Sequence, residues 1–144
     1  MKTLRSNQTG VSLLEVLIAV VILSLGILGL AGLQMSALRN NQSAMERSLA
    51  VMESYSIADA MRVDRSNAVA GAFNLSIEDE TPSGGTFANN ELAKWRTRLA
   101  NSLGPGASGA IACNNTSCSI TIRWDDRRGT GGSQQQQITT QALL

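Results

Sequence analysis

A single uncharged run dominates the first third of the chain. The 23 residues from Val16 to Leu38 carry no charged side chain, and 20 of the 28 residues from Val11 to Leu38 are hydrophobic. A helix needs about 20 apolar residues to cross the hydrocarbon core of a membrane. The run is long enough for this, and it predicts a transmembrane helix over residues 13–38.

The charges beside the run predict its orientation. Lys2 and Arg5 precede it, and the first ten residues contain no acidic side chain. Basic residues next to a span stay on the cytoplasmic side, so we expect a single pass with the N-terminus in the cytoplasm. A cleaved secretory signal is a weaker alternative, because its apolar region has about 7–15 residues and ends at small residues, which Leu33-Gln34-Met35 does not provide. A buried core helix is weaker still, because so small a head could hardly surround it.

The composition excludes several classes of function. The 144 residues include no histidine, which removes Ser-His-Asp and Cys-His catalysis and the common histidine-containing zinc sites. A formal net charge of +1 provides no electrostatic footprint for nucleic acid, and 3% aromatic residues provide few stacking surfaces. We therefore predict no enzyme active site, no cofactor and no metal site, and nucleic acid is not an expected partner.

Glu15 is a charged residue inside the apolar segment. A carboxylate at the bilayer centre costs about 3 kcal/mol on insertion scales, and less near the end of a span. It can lie at the interface, where the positive end of the helix dipole favours it, or it can await a cation inside an assembly. Composition alone favours the interfacial interpretation.

The first 33 residues resemble the class III signal of type IV pilins and type II secretion pseudopilins. A basic leader over residues 1–10 ends in Gly10, the apolar Val11 follows, and Glu15 is the fifth residue after the glycine. The resemblance implies that a prepilin peptidase cuts between Gly10 and Val11 on the cytoplasmic face and then methylates the new N-terminus at Val11. It also implies that Glu15 neutralises the terminal amine of a neighbouring subunit. Most members have Phe where Val11 stands, and Val occurs in minor members.

Three later segments, residues 31–68, 91–106 and 118–129, resemble the PilV group of minor pilins. This resemblance implies a protein that is incorporated into a type IV pilus or primes its assembly, and that supports twitching motility and adhesion. The implied partners are the prepilin peptidase, other minor and major pilins and an inner-membrane assembly platform. The implied location is the inner membrane with a periplasmic head, and then the pilus of a Gram-negative bacterium.

Two other functions stay open. Minor pseudopilins of type II secretion systems share the LLEVL start at residues 13–17 and would serve protein export. Some minor pilins are DNA-uptake receptors, and Arg123, Arg127 and Arg128 would form a basic spot. Asp125 and Asp126 lie among these arginines and oppose that interpretation.

A helical pattern continues beyond the apolar run. Leu38, Met45, Leu49 and Met52 are spaced 7, 4 and 3 residues apart, so they form one stripe at the helical period. We predict one long helix over residues 11–65, transmembrane in its first half, whose second half gives an apolar face to a small head.

Three glycines interrupt this helix at a regular interval. Gly26, Gly29 and Gly32 recur every three residues. They indicate close approach between the helices of neighbouring subunits, local unwinding of the helix in a filament, or only the general frequency of glycine in membrane helices.

Residues 66–144 are predicted to form the periplasmic head. A loop-rich segment over 66–90 precedes a helix over 90–103, which buries one side through Leu92, Trp95, Leu99 and Leu103. Strands over 110–113 and 118–124 form a hairpin, and residues 134–144 form a last strand. The predicted fold class is α+β, with a long N-terminal helix packed on a small antiparallel sheet, as in pilins.

The predicted hairpin places Cys113 and Cys118 opposite each other. A periplasmic head lies in an oxidising compartment, so we expect a disulfide between them. Two reduced, buried thiols are the alternative.

Two acidic clusters are predicted to be structural. Residues 78–80 are acidic but lack the spacing of a calcium-binding loop, so a solvated loop is the better interpretation. Asp125 and Asp126 are adjacent and would point to opposite faces of a strand, which favours a charged turn over a catalytic pair.

Overall fold

The computed structural model describes residues 10–144. Lys2 and Arg5, on which the predicted orientation depends, lie outside the described residues. The chain divides into two compact units, one ending at Leu38 and one extending over Arg39–Leu144. The elements in chain order are α1 (Leu13–Val63), α2 (Arg65–Val69), α3 (Phe87–Leu103), β1 (Ser108–Cys113), β2 (Ser117–Trp124) and β3 (Gln136–Leu143). A long apolar N-terminal helix and a small antiparallel sheet confirm the predicted α+β class.

The first unit presents its apolar side chains to the outside. Every residue from Gly10 to Met35 is exposed. Among the described residues, α1 is the helix long and apolar enough to cross a membrane. The Ser24 hydroxyl donates a hydrogen bond to the Val21 carbonyl at 2.8 Å, so this polar side chain is satisfied within the helix. The helix is continuous through the three glycines.

Small side chains dominate the buried face of α1 in the second unit. The buried residues of this helix are Ala50, Ser54, Ile57, Ala58 and Met61. The predicted stripe is largely wrong, because Met45 and Met52 are 64% and 66% exposed, and Leu49 is half-buried. The buried face therefore contains the large Ile57 and Met61 as well as alanine and serine, and the predicted stripe of Met45 and Met52 lies outside it.

Helix α3 begins at Phe87, earlier than the predicted start at Asn90. Thr86 is the N-cap, with an extended backbone and a hydroxyl oxygen that accepts from the Asn89 N–H at 3.1 Å. The predicted buried face is confirmed, with Leu92, Trp95, Leu99 and Leu103 in the core. The helix ends before Gly104, whose φ of 102° favours glycine.

The three strands form an antiparallel meander in the order β1-β2-β3. Strand β2 alternates between buried and half-buried residues along its whole length, and its buried residues are Cys118, Ile120, Ile122 and Trp124. Ile138 and Ala142 of β3 pack against the same core. The other face of the sheet is polar, as expected for an antiparallel sheet with one face in solvent.

Trp95 connects α3 to both α1 and β1. Its side chain is fully buried, and its indole N–H donates to the Glu53 carbonyl at 3.1 Å. A Cβ atom at Gly109 would lie 2.2 Å from the Cη2 atom of Trp95. Glycine is therefore required at this point of β1, because the strand backbone passes directly against the indole ring.

Gly109→Ala is expected to lower the free energy of unfolding of the second unit by about 2–3 kcal/mol, because overpacking a filled core costs energy on this order. Gly106→Ala is the matched control, since nothing lies within 4 Å of a Cβ there. The control should change stability by less than about 0.5 kcal/mol. Thermal unfolding of the full chain in detergent, followed by near-ultraviolet circular dichroism of the tryptophans, measures both variants. Equal stability of the two variants would contradict the close approach.

Candidate processing and assembly site

The predicted cleavage site precedes helix α1. Gly10 and Val11 lie before the first helical residue, Leu13, and both are exposed. Nothing lies within 4 Å of a Cβ placed on Gly10. Exposed, non-helical chain is where peptidases cut most readily. The Gly10–Val11 bond therefore lies in an accessible segment.

Ser12 caps the start of α1. Its carbonyl accepts from the N–H groups of Glu15 at 3.1 Å and Val16 at 3.3 Å. Its hydroxyl oxygen also accepts from the Glu15 N–H, at 3.3 Å. This N-cap fixes Glu15 at the third helical position. Sequence reasoning missed this role, although the spacing of Ser12 and Glu15 is that of a capping box.

The Glu15 side chain is exposed and lies in the first turn of α1. The positive end of the helix dipole favours a carboxylate at this place. No ion pair among residues 10–144 includes Glu15. A cation that neutralises the carboxylate in an apolar environment would therefore come from outside the described chain.

Cys113 and Cys118 are joined by a disulfide at the end of the β1-β2 hairpin. The two residues are direct partners in the register of the strands. Between them, the side-chain oxygen of Asn114 accepts from the N–H groups of Thr116 at 2.9 Å and Ser117 at 2.8 Å. This turn, stabilised by the asparagine side chain, reverses the chain and brings the cysteines together.

Asp126 lies in the predicted turn, but its side chain is buried, which its charged neighbours did not indicate. Its side chain is 2% exposed, and its Oδ2 atom accepts from the Ser43 hydroxyl at 2.7 Å. Its backbone N–H donates to the Ser133 carbonyl at 2.9 Å, and its carbonyl accepts from the Gly129 N–H at 3.0 Å. Asp126 thus closes the loop between β2 and β3 and ties that loop to α1. Because Ser43 is 83 residues away, no local pattern reveals the pair.

Asp125 also lies in the charged turn, as predicted. Its carboxylate pairs with Arg127 at 2.6 Å, and hydrogen bonds from Arg127 lower the pKa of Asp125. Arg123 pairs with Glu78 at 2.8 Å. Two of the three arginines of the basic spot are therefore neutralised by carboxylates of the same chain, which weakens the DNA-uptake interpretation.

The guanidinium of Arg96 organises the acidic loop before α3. It donates to the carbonyls of Ser76 at 2.6 Å, Gly109 at 3.0 Å and Asp79. Burial lowers the pKa of Arg96, while Asp79 and Glu78 act in the opposite direction. The acidic residues thus lie beside a structural arginine, and residues 10–144 contain no group of three side chains suited to a metal ion.

Residues 5–31 match the family model of the prokaryotic N-terminal methylation motif. The match includes Gly10, Val11 and Glu15, and it supports the interpretation of the chain as a type IV pilin-like or pseudopilin protein. Proteins with this motif are generally structural rather than enzymatic, and the motif implies processing by a prepilin peptidase and membrane assembly with other pilins. No curated protein and no solved structure significantly matches the chain.

Ser43→Ala is expected to destabilise the second unit by about 1–3 kcal/mol, because it leaves the Asp126 carboxyl group buried without its hydroxyl donor. Ser48→Ala is the matched control on the same helix, since the exposed Ser48 hydroxyl donates to the Ala44 carbonyl within one turn. The control should change stability by less than about 0.5 kcal/mol. Urea unfolding of the full chain in detergent measures both. An equal loss in the two variants would show that the bond to Asp126 contributes nothing.

Proposed function

We propose that this protein is a minor pilin of the PilV group, which is incorporated into a type IV pilus or primes its assembly. Through pilus biogenesis it would support twitching motility and adhesion. One observation carries the proposal: an accessible Gly10–Val11 bond, a capped turn holding Glu15 and an exposed apolar helix coincide in the segment that matches the methylation motif. The resemblance of the three later segments to minor pilins supports the finer assignment.

In this proposal the apolar half of α1 anchors the protein before assembly. Large apolar side chains such as Leu13, Leu28 and Leu33 are exposed to 82%, 69% and 71%. Exposed apolar surface is unfavourable in water by about 25 cal/mol per Å², so this helix belongs in lipid or among other helices. The protein would lie in the inner membrane of a Gram-negative bacterium with its N-terminus in the cytoplasm and its head in the periplasm. It would then move into the pilus.

Cleavage after Gly10 would prepare the site for assembly. It removes Lys2 and Arg5, so 10 basic residues face 11 acidic ones and the formal side-chain charge becomes −1. It also creates an α-amino group at Val11, which the peptidase would then methylate. In an apolar environment an amine and a carboxylate attract strongly, and either one alone is heavily penalised. Pairing of Glu15 with the amine of a neighbouring subunit would therefore select the correct register.

The exposed methionines of α1 support contact with further subunits. Met45, Met52 and Tyr55 are 64%, 66% and 57% exposed and lie outside the core of their own unit. Methionine is flexible and polarisable, so it adapts to surfaces of different shape. A minor pilin needs such a surface, because its neighbours in the pilus include other minor pilins and major pilins.

The runner-up function is a minor pseudopilin of a type II secretion system. The exposed methionines of α1 and the segment around the Gly10–Val11 bond would serve either function. Minor pilins and minor pseudopilins also share the LLEVL sequence found at residues 13–17. A deletion strain separates them, because lost surface pili favour the pilus and a trapped exoprotein favours secretion. A cluster of neighbouring pilin-like genes would provide the same distinction.

Gly10→Leu is expected to block processing, because a side chain at Gly10 hinders close approach of the peptidase to the backbone. The wild-type chain should begin at a methylated Val11, and the variant should retain its ten leader residues. Gly29→Leu is the control, since it makes the same substitution at another glycine without close neighbours in the structure. Mass spectrometry of the N-terminal peptide identifies each product. A variant that still begins at Val11 would contradict the predicted cleavage site.

Glu15→Ala should insert into the membrane and be cleaved like the wild type, but its recovery in sheared pili should fall at least ~10-fold. A loss of about 1.4 kcal/mol in assembly produces a factor of this size. Glu15→Asp keeps the charge and is expected to be recovered to a greater extent than the alanine variant. Quantitative immunoblots of membrane and pilus fractions measure this. Equal incorporation of the alanine variant and the wild type would refute the role of Glu15.

A further inference from the structure

A cleft of about 640 Å³ lies within the second unit, where three parts of the chain meet. Helix α1 contributes Glu46 to its wall, and the turn after β2 contributes Asp125, Arg127 and Arg128. Residues 102–106, at the end of α3 and just after it, form the third side. This volume is within the range of pockets that hold small molecules, about 300–1,000 Å³.

One carboxylate oxygen of Glu46 lacks a hydrogen-bond donor. Its Oε1 atom accepts from the Gln42 Nε2 atom at 3.3 Å. Its Oε2 atom is shielded from solvent and has no partner within residues 10–144. A shielded polar atom without a partner costs free energy, and the cost is larger for a charged group. A bound molecule with N–H donors would remove this cost, and a cationic donor would form the stronger hydrogen bond.

The end of α3 also favours a cation in this cleft. The last turn of the helix contains no basic side chain, and the negative end of the helix dipole lies there. Gly104 and Pro105 follow the helix, and proline has no N–H with which to cap the last carbonyls. The sides of the cleft formed by α1 and α3 are therefore electronegative.

The turn after β2 brings a positive charge to the same cleft. Arg127 and Asp125 neutralise each other through their 2.6 Å ion pair. Arg128 is exposed and attracts Asp125 over a longer distance, but it forms no ion pair among residues 10–144. Glu46 does not pair with it either. The cleft thus contains one acid and one base that do not meet each other.

We propose that the cleft binds a small zwitterion, a molecule that carries a primary ammonium group and a carboxylate, as free amino acids and short peptides do. The ammonium group donates to Glu46 beside the end of α3, and the carboxylate accepts from the guanidinium of Arg128, which offers two parallel N–H groups. A simple cation or a simple anion would satisfy only one of these residues and be repelled by the other. The cleft lies within the second unit, and the proposal does not rest on the proposed function.

Titration calorimetry of the full chain in detergent tests the proposal with two series of ligands. The series from glycine to 6-aminohexanoate varies the distance between the two charges, and the series glycine, diglycine and triglycine separates an amino acid from a peptide. At least one member should bind with a Kd below about 1 mM, and butylamine and butyrate, which carry one charge each, should bind at least ~10-fold more weakly. The proposal is overturned if no zwitterion binds, or if butylamine or butyrate binds as tightly as the best zwitterion.

Two charge-removing variants test the two residues separately. Glu46→Gln and Arg128→Gln should each raise the Kd of the best ligand at least ~10-fold. Glu91→Gln is the matched control for the first, since Glu91 pairs with Lys94 outside the cleft. Arg47→Gln is the control for the second, since Arg47 is exposed and also lies outside the cleft. An unchanged Kd in either cleft variant would overturn the proposal, and the exposed position of Arg128 keeps the test available if Glu46→Gln unfolds.

A direct ion pair between Glu46 and Arg128 in solution is the competing outcome. Urea unfolding without ligand, applied to the two single variants and to the double variant, measures the coupling between the residues. We expect the two effects on stability to add, because the side chains do not pair in the structure. Strong coupling without ligand would overturn the proposal, since the two charges would then neutralise each other.

Discussion

The fold of the second unit depends on one close contact, at Trp95. The indole ring fills the space between α1, α3 and β1, donating a hydrogen bond to Glu53 and lying directly over Gly109. This contact fixes how near the elements come to each other. The side of α1 that faces the core buries the small Ala50 and Ala58 together with the larger Ile57 and Met61. Met45 and Met52 lie on the outside of the unit.

Features that arise from local periodicity could be predicted from the sequence. The strict alternation of β2, the buried face of α3 and the apolar run of α1 each repeat at the period of their own element. The α+β class followed from these patterns. Gly10, Val11 and Glu15 were also identifiable, because the methylation motif is a short, contiguous stretch of chain. The structure adds to it the Ser12 cap, which positions Glu15 in the first turn.

Features that depend on distant parts of the chain could not be predicted. The carboxyl group of Asp126 was assigned to a charged turn because its neighbours are charged, yet its donor is Ser43 on a remote helix. The methionine stripe is apolar and correctly spaced, but periodicity identifies a face without identifying what covers it. Residue size does not distinguish the two faces either, because Ile57 and Met61 are fully buried while Met45 and Met52 are exposed. The distinction required knowledge of the elements packed against the helix.

Two surfaces of the described chain lack partners within that chain. The apolar helix presents its leucines outward, and the Glu15 carboxylate has no ion pair. Each is unfavourable alone for a different reason: apolar surface in water, and an unpaired charge in an apolar environment. Their partners are also different, namely lipid or other helices for the first and an amine for the second. A chain with these surfaces gains stability through neighbours rather than through a closed surface of its own, which is the physical requirement for a subunit of an assembly.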